Sequence, residues 1–269
     1  MSTIKTIQTD FDSGFDIKTT INPMGFVYGK DCFGPQVELR TIDSVRKSLF
    51  DPNCNGPEIV YAIAMDVGKN IHKKTLEELH LLYGVVTYAA GSLGDEPIRS
   101  QGHIHVKSAF ANGWSTPEVY EIWQGEAIIY MQEFGGDDPG RCIAMYGKPG
   151  DVIIVPPGWV HATISASPDV PLTFGAWCDR NYGFDYNEVR AHKGIAWFPF
   201  IAEDKSIVWK QNENYNFSKL SIENACSYDE FSLEKGKPIY TQFEENNQKF
   251  LFVTRPDLFQ AEWEKFKNI

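Results

Sequence analysis

The chain has 269 residues, 42% of them hydrophobic and 14% aromatic, enough apolar material for a sizeable core, which excludes a disordered chain. It carries 36 acidic against 25 basic side chains, a net charge of −11. That balance argues against nucleic acid and anionic membranes as partners unless a local basic patch exists, and none stands out along the sequence. No apolar run approaches about 18 residues, and the polar start MSTIKTIQTDFDSGFD does not read as a signal peptide. Cys32, Cys54, Cys142, Cys178 and Cys226 share no CxxC spacing, which fits reduced thiols and a cytoplasmic protein.

In chain order, residues 1–24 are polar and mixed and read as a strand or arm over the main body. VELRTIDSVRKSLF from Val37 to Phe50 reads as a helix, with Thr41 or Asp43 available to cap it. The turn cluster from Asp51 to Pro57 ends it, and Ile59 to Met65 is a short buried strand. A surface helix or loop around Lys69 to His80 carries His72 and His80, which read, like His192, as exposed and solvated. From Leu81 to Trp177 come eight short β-rich runs (LLYGVVTYAA, QGHIHV, EVYEIWQG, EAIIYMQE, CIAMYG, DVIIVPPG, HATISA, LTFGAW) broken by Gly, Pro and Asp. That spacing, with no intervening helix, predicts an antiparallel barrel or sandwich. In the last seventy residues, SIVWK and KFLFVT read as strands, and Asp257 to Phe266 as a closing helix after Pro256.

The chemistry concentrates in the β-rich section. His103 and His105 stand two apart, so a strand puts both imidazoles on one face, about 6–7 Å apart along the backbone and close enough to converge on one ion. Glu118 precedes Gly125 in EVYEIWQG, and Gly150 to His161 runs through Val155-Pro156-Pro157-Gly158, a strand ending in a sharp turn that allows the next strand to present His161 inward.

These segments resemble the paired motifs of the cupin family. The resemblance implies an all-β cupin barrel (an antiparallel double-stranded β-helix or jelly roll) with a few peripheral helices, in which His103, His105, Glu118 and His161 bind a metal. Three imidazoles and one carboxylate leave positions open for substrate or water, and Fe²⁺, Mn²⁺, Zn²⁺, Ni²⁺ and Co²⁺ all suit such a donor set. Two departures from the pattern are the twelve-residue loop between His105 and Glu118 and the closing Ser165, where an Asn is usual.

Within the cupins, Ser44-Val45-Arg46, Ile59-Val60-Tyr61, Ser100-Gln101-Gly102-His103-Ile104-His105, Glu118-Val119-Tyr120, Pro156 to Thr163 and Phe184-Asp185-Tyr186 are similar to the archaeal-type phosphoglucose isomerases. This covers roughly residues 25–200, which are read as the isomerase-like domain, with residues 1–24 as an arm and residues 201–269 as an extension packed on the barrel. It implies a metal-dependent aldose–ketose isomerase acting on a hexose with an anionic C6 group, glucose 6-phosphate first. Tyr61, Ser100 and Gly102 correspond to the contacts that hold the anion, and Tyr120 and Tyr186 to the pocket lining. Val86 stands where the family has an anion-contacting threonine. Thr87, one residue on, is kept as a contact although its register puts it on the opposite face. Phe184 replaces a family histidine and Trp177 a tyrosine. The anion end is thus partly rewritten, which opens a 6-sulfo sugar such as sulfoquinovose as an alternative substrate. Glu118 is the expected base for the C2 proton, with a hydride shift as the alternative. Lys107 reads as a surface residue. An iron-dependent cupin oxygenase and a non-enzymatic sugar-binding cupin are the competing classes, and a homodimer the expected assembly.

Overall fold

All eight runs between residues 81 and 177 contribute strands in the computed structural model, which describes residues 4–266. Seven of them sort into two principal sheets, and Ile104–His105 pairs apart with Phe184–Asp185, giving the expected all-β architecture with peripheral helices. The larger has six strands in the order Val152–Val155, Glu118–Gln124, Leu172–Asp179, Leu81–Tyr88, Ile59–Met65, Glu38–Thr41, every pair antiparallel. The smaller runs Val160–Ser165, Ala127–Gln132, Cys142–Gly147, Leu220–Asn224, the last pair parallel. Gly125 makes the tight passage from one sheet to the other between Glu118–Gln124 and Ala127–Gln132. Its φ is +71°, and a Cβ there would sit 2.8 Å from the Pro171 carbonyl, so only glycine fits.

Strand alternation then decides what faces what. Along Glu118–Gln124, Tyr120 and Ile122 point into the core between the sheets, where Ile129, Met131, Ile153 and Phe174 meet them. Val119 and Trp123 point outward. That outer face is covered by aromatics from the chain ends: Trp177 stacks on Tyr240 at 5.3 Å, and Phe243, Phe250 and Phe252 are all buried around it. Each such ring fully withdrawn from water is worth about 1.5–3 kcal/mol.

The structure differs from the sequence reading in three segments. Residues 37–50 are not one helix: Glu38–Thr41 is an edge strand paired to Ile59–Met65, and only Ile42–Val45 and Arg46–Ser48 are helical, with no side-chain cap from Thr41. KFLFVT is not a strand but the helical turns Asn247–Phe250 and Leu251–Thr254. Ile17–Asn22 pairs with Met24–Tyr28, so a hairpin crosses the expected 24/25 boundary. The closing segment is helical over Gln260–Phe266, and no helix is long and apolar enough to cross a membrane.

Candidate active site

His103, His105, Glu118 and His161 converge between the two sheets, with one donor atom from each lying within 4.8 Å of the others. Three separate segments bring them there. The short strand Ile104–His105 lies beside Phe184–Asp185, His103 bridges to His161 through the backbone, and Glu118 opens a strand of the larger sheet. The long loop after His105 has a structural use: its Thr116 carbonyl accepts from His105 Nδ1 at 2.9 Å, and Ser115 Oγ donates to the His105 carbonyl at 2.7 Å.

The proton arrangement tests whether a metal fits. His161 gives its Nδ1–H to the Trp159 carbonyl at 3.1 Å, as His105 does to Thr116. With Nδ1 protonated, each Nε2 presents a lone pair. Those lone pairs lie 3.1 Å (His161) and 3.2 Å (His105) from the same carboxylate oxygen, Glu118 Oε2. Acceptor facing acceptor is repulsive unless a cation or proton lies between them, and about 3 Å is the separation of adjacent ligands on an ion held at about 2.1 Å. Nε2 of His103 is buried with no partner at all. The donor set therefore fits a divalent ion.

Titration favours the same states. Burial, followed by the neighbouring histidines, holds the His103 pKa well below its usual value, and burial lowers that of His161, so both rings stay neutral. Burial pushes Glu118 up, but hydrogen bonds and charge from His105 and His161 outweigh it and hold the carboxyl well below the usual range, which requires a proton, or an ion in its place, between each ring and the carboxylate. Tyr120 donates to Glu118 Oε2 at 2.8 Å and the Cys178 thiol to Oε1 at 3.3 Å. Burial and then the Glu118 charge push both of these groups far up, so they remain donors.

The adjoining cavity is lined by Tyr61, Ser100, His103, Glu118, Tyr120 and Tyr186. Tyr61 stacks on Tyr88 at 4.8 Å, and Ser100 Oγ accepts from the Thr163 amide at 3.0 Å. Two expected contacts lie elsewhere. Thr87 is fully buried on the opposite face, its hydroxyl 2.9 Å from that of Thr173, because Val86 and Tyr88 take the inward positions of their strand. Gly102 is not part of the lining: its φ of +92° and the 2.6 Å approach of Ile195 to any Cβ make it a backbone requirement. Lys107 is exposed, as expected. Trp177 points away from the cavity, so Cys178 is the inward residue there.

The remaining histidines are not freely solvated. His72 lies 3.2 Å from the Tyr240 hydroxyl, His80 stacks on Phe110 and His192 on Tyr215; each ring is half-buried against an aromatic neighbour.

Ile63, Met65, Val86 and Phe174 form an apolar wall of the cavity, and Arg40 and Arg190 bring positive charge beside Tyr186. Of these, sequence reasoning singled out Val86 and missed the others. Period-two alternation from Tyr61 yields Ile63 and Met65, and from Val86 yields Tyr88; nothing local marks the arginines.

The sequence profile "Glucose-6-phosphate isomerase (GPI)" matches residues 48–218. The chain belongs to the glucose-6-phosphate isomerase family. Family relatives include the glucose-6-phosphate isomerase of Thermococcus litoralis, 30% identical over 139 residues (52% of this chain, 66% of that protein). That of Pyrococcus furiosus is 32% identical over 120 residues (45% and 57%), and that of Sinorhizobium medicae 26% over 156 residues (58% and 65%). The chain thus spans somewhat under two thirds of the length of the curated relatives it matches. Among solved structures, an oxalate decarboxylase of Bacillus subtilis overlaps 59% of this chain and 30% of its own, with 14% identity and a TM-score of 0.34. The family assignment rests on the sequence profile, and the all-β, two-sheet architecture on the strand pairing described above.

Proposed function

We propose that the protein is a divalent-metal-dependent aldose–ketose isomerase that interconverts glucose 6-phosphate and fructose 6-phosphate. The observation that carries this reading is the pair of histidine lone pairs turned on one Glu118 oxygen in a cavity lined by hydroxyls, in a chain of this family. His103, His105, Glu118 and His161 hold the ion. An ion held there would supply polarisation of the sugar carbonyl and stabilisation of the negative charge that develops beside it. Glu118 takes the C2 proton and returns it to C1, while the hydroxyl proton passes from O2 to O1 and the carbonyl moves to C2. Tyr120 and Cys178, both protonated, fix the carboxylate in place. Ser100, Tyr61 and Tyr186, with the positive charge of Arg40, receive the anionic end. A homodimer belongs to this reading and is checked by light scattering.

A second reading is favoured by the wall of Ile63, Met65, Val86 and Phe174, which offers no donors. A 6-sulfo hexose is a monoanion and loses less than a phosphate dianion when donors are few; each charge-assisted hydrogen bond is worth about 1.5–3 kcal/mol.

The test is an isomerisation assay of the metal-loaded protein on glucose 6-phosphate, sulfoquinovose and neutral glucose, side by side. Turnover of glucose 6-phosphate with no oxygen uptake supports the first reading, and a kcat/KM for the sulfo sugar at least equal to it supports the second. Failure to isomerise any of the three overturns both.

A further inference from the structure

A cavity larger than the one between the sheets lies at the surface. It is a surface cleft of about 530 Å³ formed by the helical segment after residue 42, the end of the Asn187–Ala191 helix and the Ile207–Gln211 strand. Arg46, Lys47, Arg190, Lys193 and Lys210 line it, against a single carboxylate, Glu213. In a chain of net charge −11, this is the basic patch that the sequence does not display, because its members come from segments about 140 residues apart.

The cations are not all engaged within the protein. Arg46 is tied to Asp43 and to the Pro52 and Cys54 carbonyls. Lys47 and Lys193 form no ion pair among the described residues, and Lys210 lies 4.5 Å over the Phe50 ring without a carboxylate. Phe50 is 46% exposed and braced edge-on by Phe198 and Phe200, a rigid aromatic face beside the charges. Lys193 has a φ of +58° just beyond the helix, where the Gly194 amide bonds back to the Val189 carbonyl. Glycine or asparagine is the usual occupant of that left-handed position. A lysine there gives up backbone comfort to place a charge in the cleft.

We propose that this cleft binds a small molecule carrying two or more phosphoryl groups next to a planar ring, of the nucleoside di- or triphosphate class. Lys47, Lys193, Lys210 and Arg190 receive the phosphoryl oxygens, Arg46 adds charge from its fixed place, and Phe50 stacks the ring. Arg190 lines the cleft and touches residues of the central cavity's wall: its guanidinium lies 4.7 Å from the ring centre of Tyr186, and its Nε donates to Gln101 Oε1 at 2.9 Å, next to Ser100. Occupancy is therefore felt at the central cavity. This last step rests on the isomerase reading; binding itself does not.

The experiment is calorimetric titration of the metal-loaded protein with ATP, pyrophosphate and inorganic phosphate, with bound metal measured before and after. ATP and pyrophosphate are expected to bind saturably, one per chain, at least about tenfold more tightly than inorganic phosphate. Lys47→Gln with Lys193→Asn, the asparagine keeping the left-handed backbone, should weaken both at least about tenfold, whereas Phe50→Ala should weaken ATP alone. ATP should shift KM for the hexose at least about twofold in the parent and not in the lysine variant, whose basal kcat stays the same. Absence of saturable binding, or unchanged binding in the lysine variant, overturns the site, as does binding that disappears in His161→Ala, which would place the anion at the central metal instead. ATP binding that Phe50→Ala leaves intact overturns the ring, and saturable ATP binding without a KM shift overturns the link through Arg190.

Discussion

One strand, Glu118–Gln124, buries two carboxylates on opposite faces, and they fare in opposite ways. Glu118 faces the cavity, where two imidazoles converge on it and hold it ionised well below the usual range. Glu121 faces the aromatic cover, where burial pushes its pKa up to about 8 although the Ile239 amide and Trp123 Nε1 both donate to it. Desolvation is comparable on both faces. What separates them is whether positive charge, as protons or an ion shared with imidazoles from other segments, meets the carboxylate. Burial of a charge does not make a site; convergence does. The outward carboxylate pins the C-terminal helices to the sheet, and the inward one sits among the three imidazoles that could share an ion with it.

That contrast breaks most visibly at Glu118. Glu118→Gln keeps the shape but removes the basic, anionic ligand, and kcat should fall by about 10²–10⁴. Run in deuterated water, the parent enzyme should put solvent deuterium into its product. Product free of solvent deuterium after long incubation would assign the reaction to a hydride shift and leave Glu118 as a ligand only.

Glu121 sharpens the comparison through stability. Its folded pKa, about 8, exceeds the ordinary 4.5. Below pH 4.5 both folded and unfolded chains carry the proton and nothing is lost. Between the two values the unfolded chain ionises first, so stability declines as pH rises and levels off above about 8, by as much as a few kcal/mol. Thermal melting should fall between about pH 5 and 8 and level off above it, and Glu121→Gln should flatten that dependence while leaving kcat near the parent's. An unchanged pH slope in the variant would remove Glu121 from the account.

The smallest effect separates the two faces at neighbouring positions. Thr87→Val removes the outer-face pair with Thr173 and should cost about 1 kcal/mol of stability, with kcat/KM within about twofold of the parent. Ser100→Ala, on the cavity side, should raise KM for anionic sugars and spare metal content. Equal effects on KM would erase the distinction between the faces.

Much of this was legible in the sequence, for identifiable reasons. The His103-Ile104-His105 alternation and the Gly- and Pro-bounded runs are local signals, and they place the strands and the four candidate ligands. Local signals fail where pairing or packing decides. Leu39, Ile42, Val45 and Leu49 keep helical spacing, yet Glu38–Thr41 gains a ladder with Ile59–Met65 and becomes an edge strand. Phe250, Phe252 and Val253 read as a strand because a short apolar run has no decisive period; packing against Trp177 and the sheet turns it into helix. Thr87 shows the cost of a one-residue register choice, since its neighbours Val86 and Tyr88 own the inward positions. Arg40 and Arg190 were invisible because charge beside Tyr186 is assembled only in three dimensions.

The claim that matters most is that His103, His105, Glu118 and His161 form a metal site on which isomerisation depends. The most direct measurement is the metal content and glucose 6-phosphate turnover of the parent, of the parent stripped by a chelator and reloaded with each of Fe²⁺, Mn²⁺, Zn²⁺, Ni²⁺ and Co²⁺, and of His161→Ala. One ion per parent chain is expected, with turnover lost on stripping and restored by at least one of the five. His161→Ala should melt as the parent does, hold no ion and give no turnover. Isomerisation at the parent rate by the stripped protein or by His161→Ala would contradict the account.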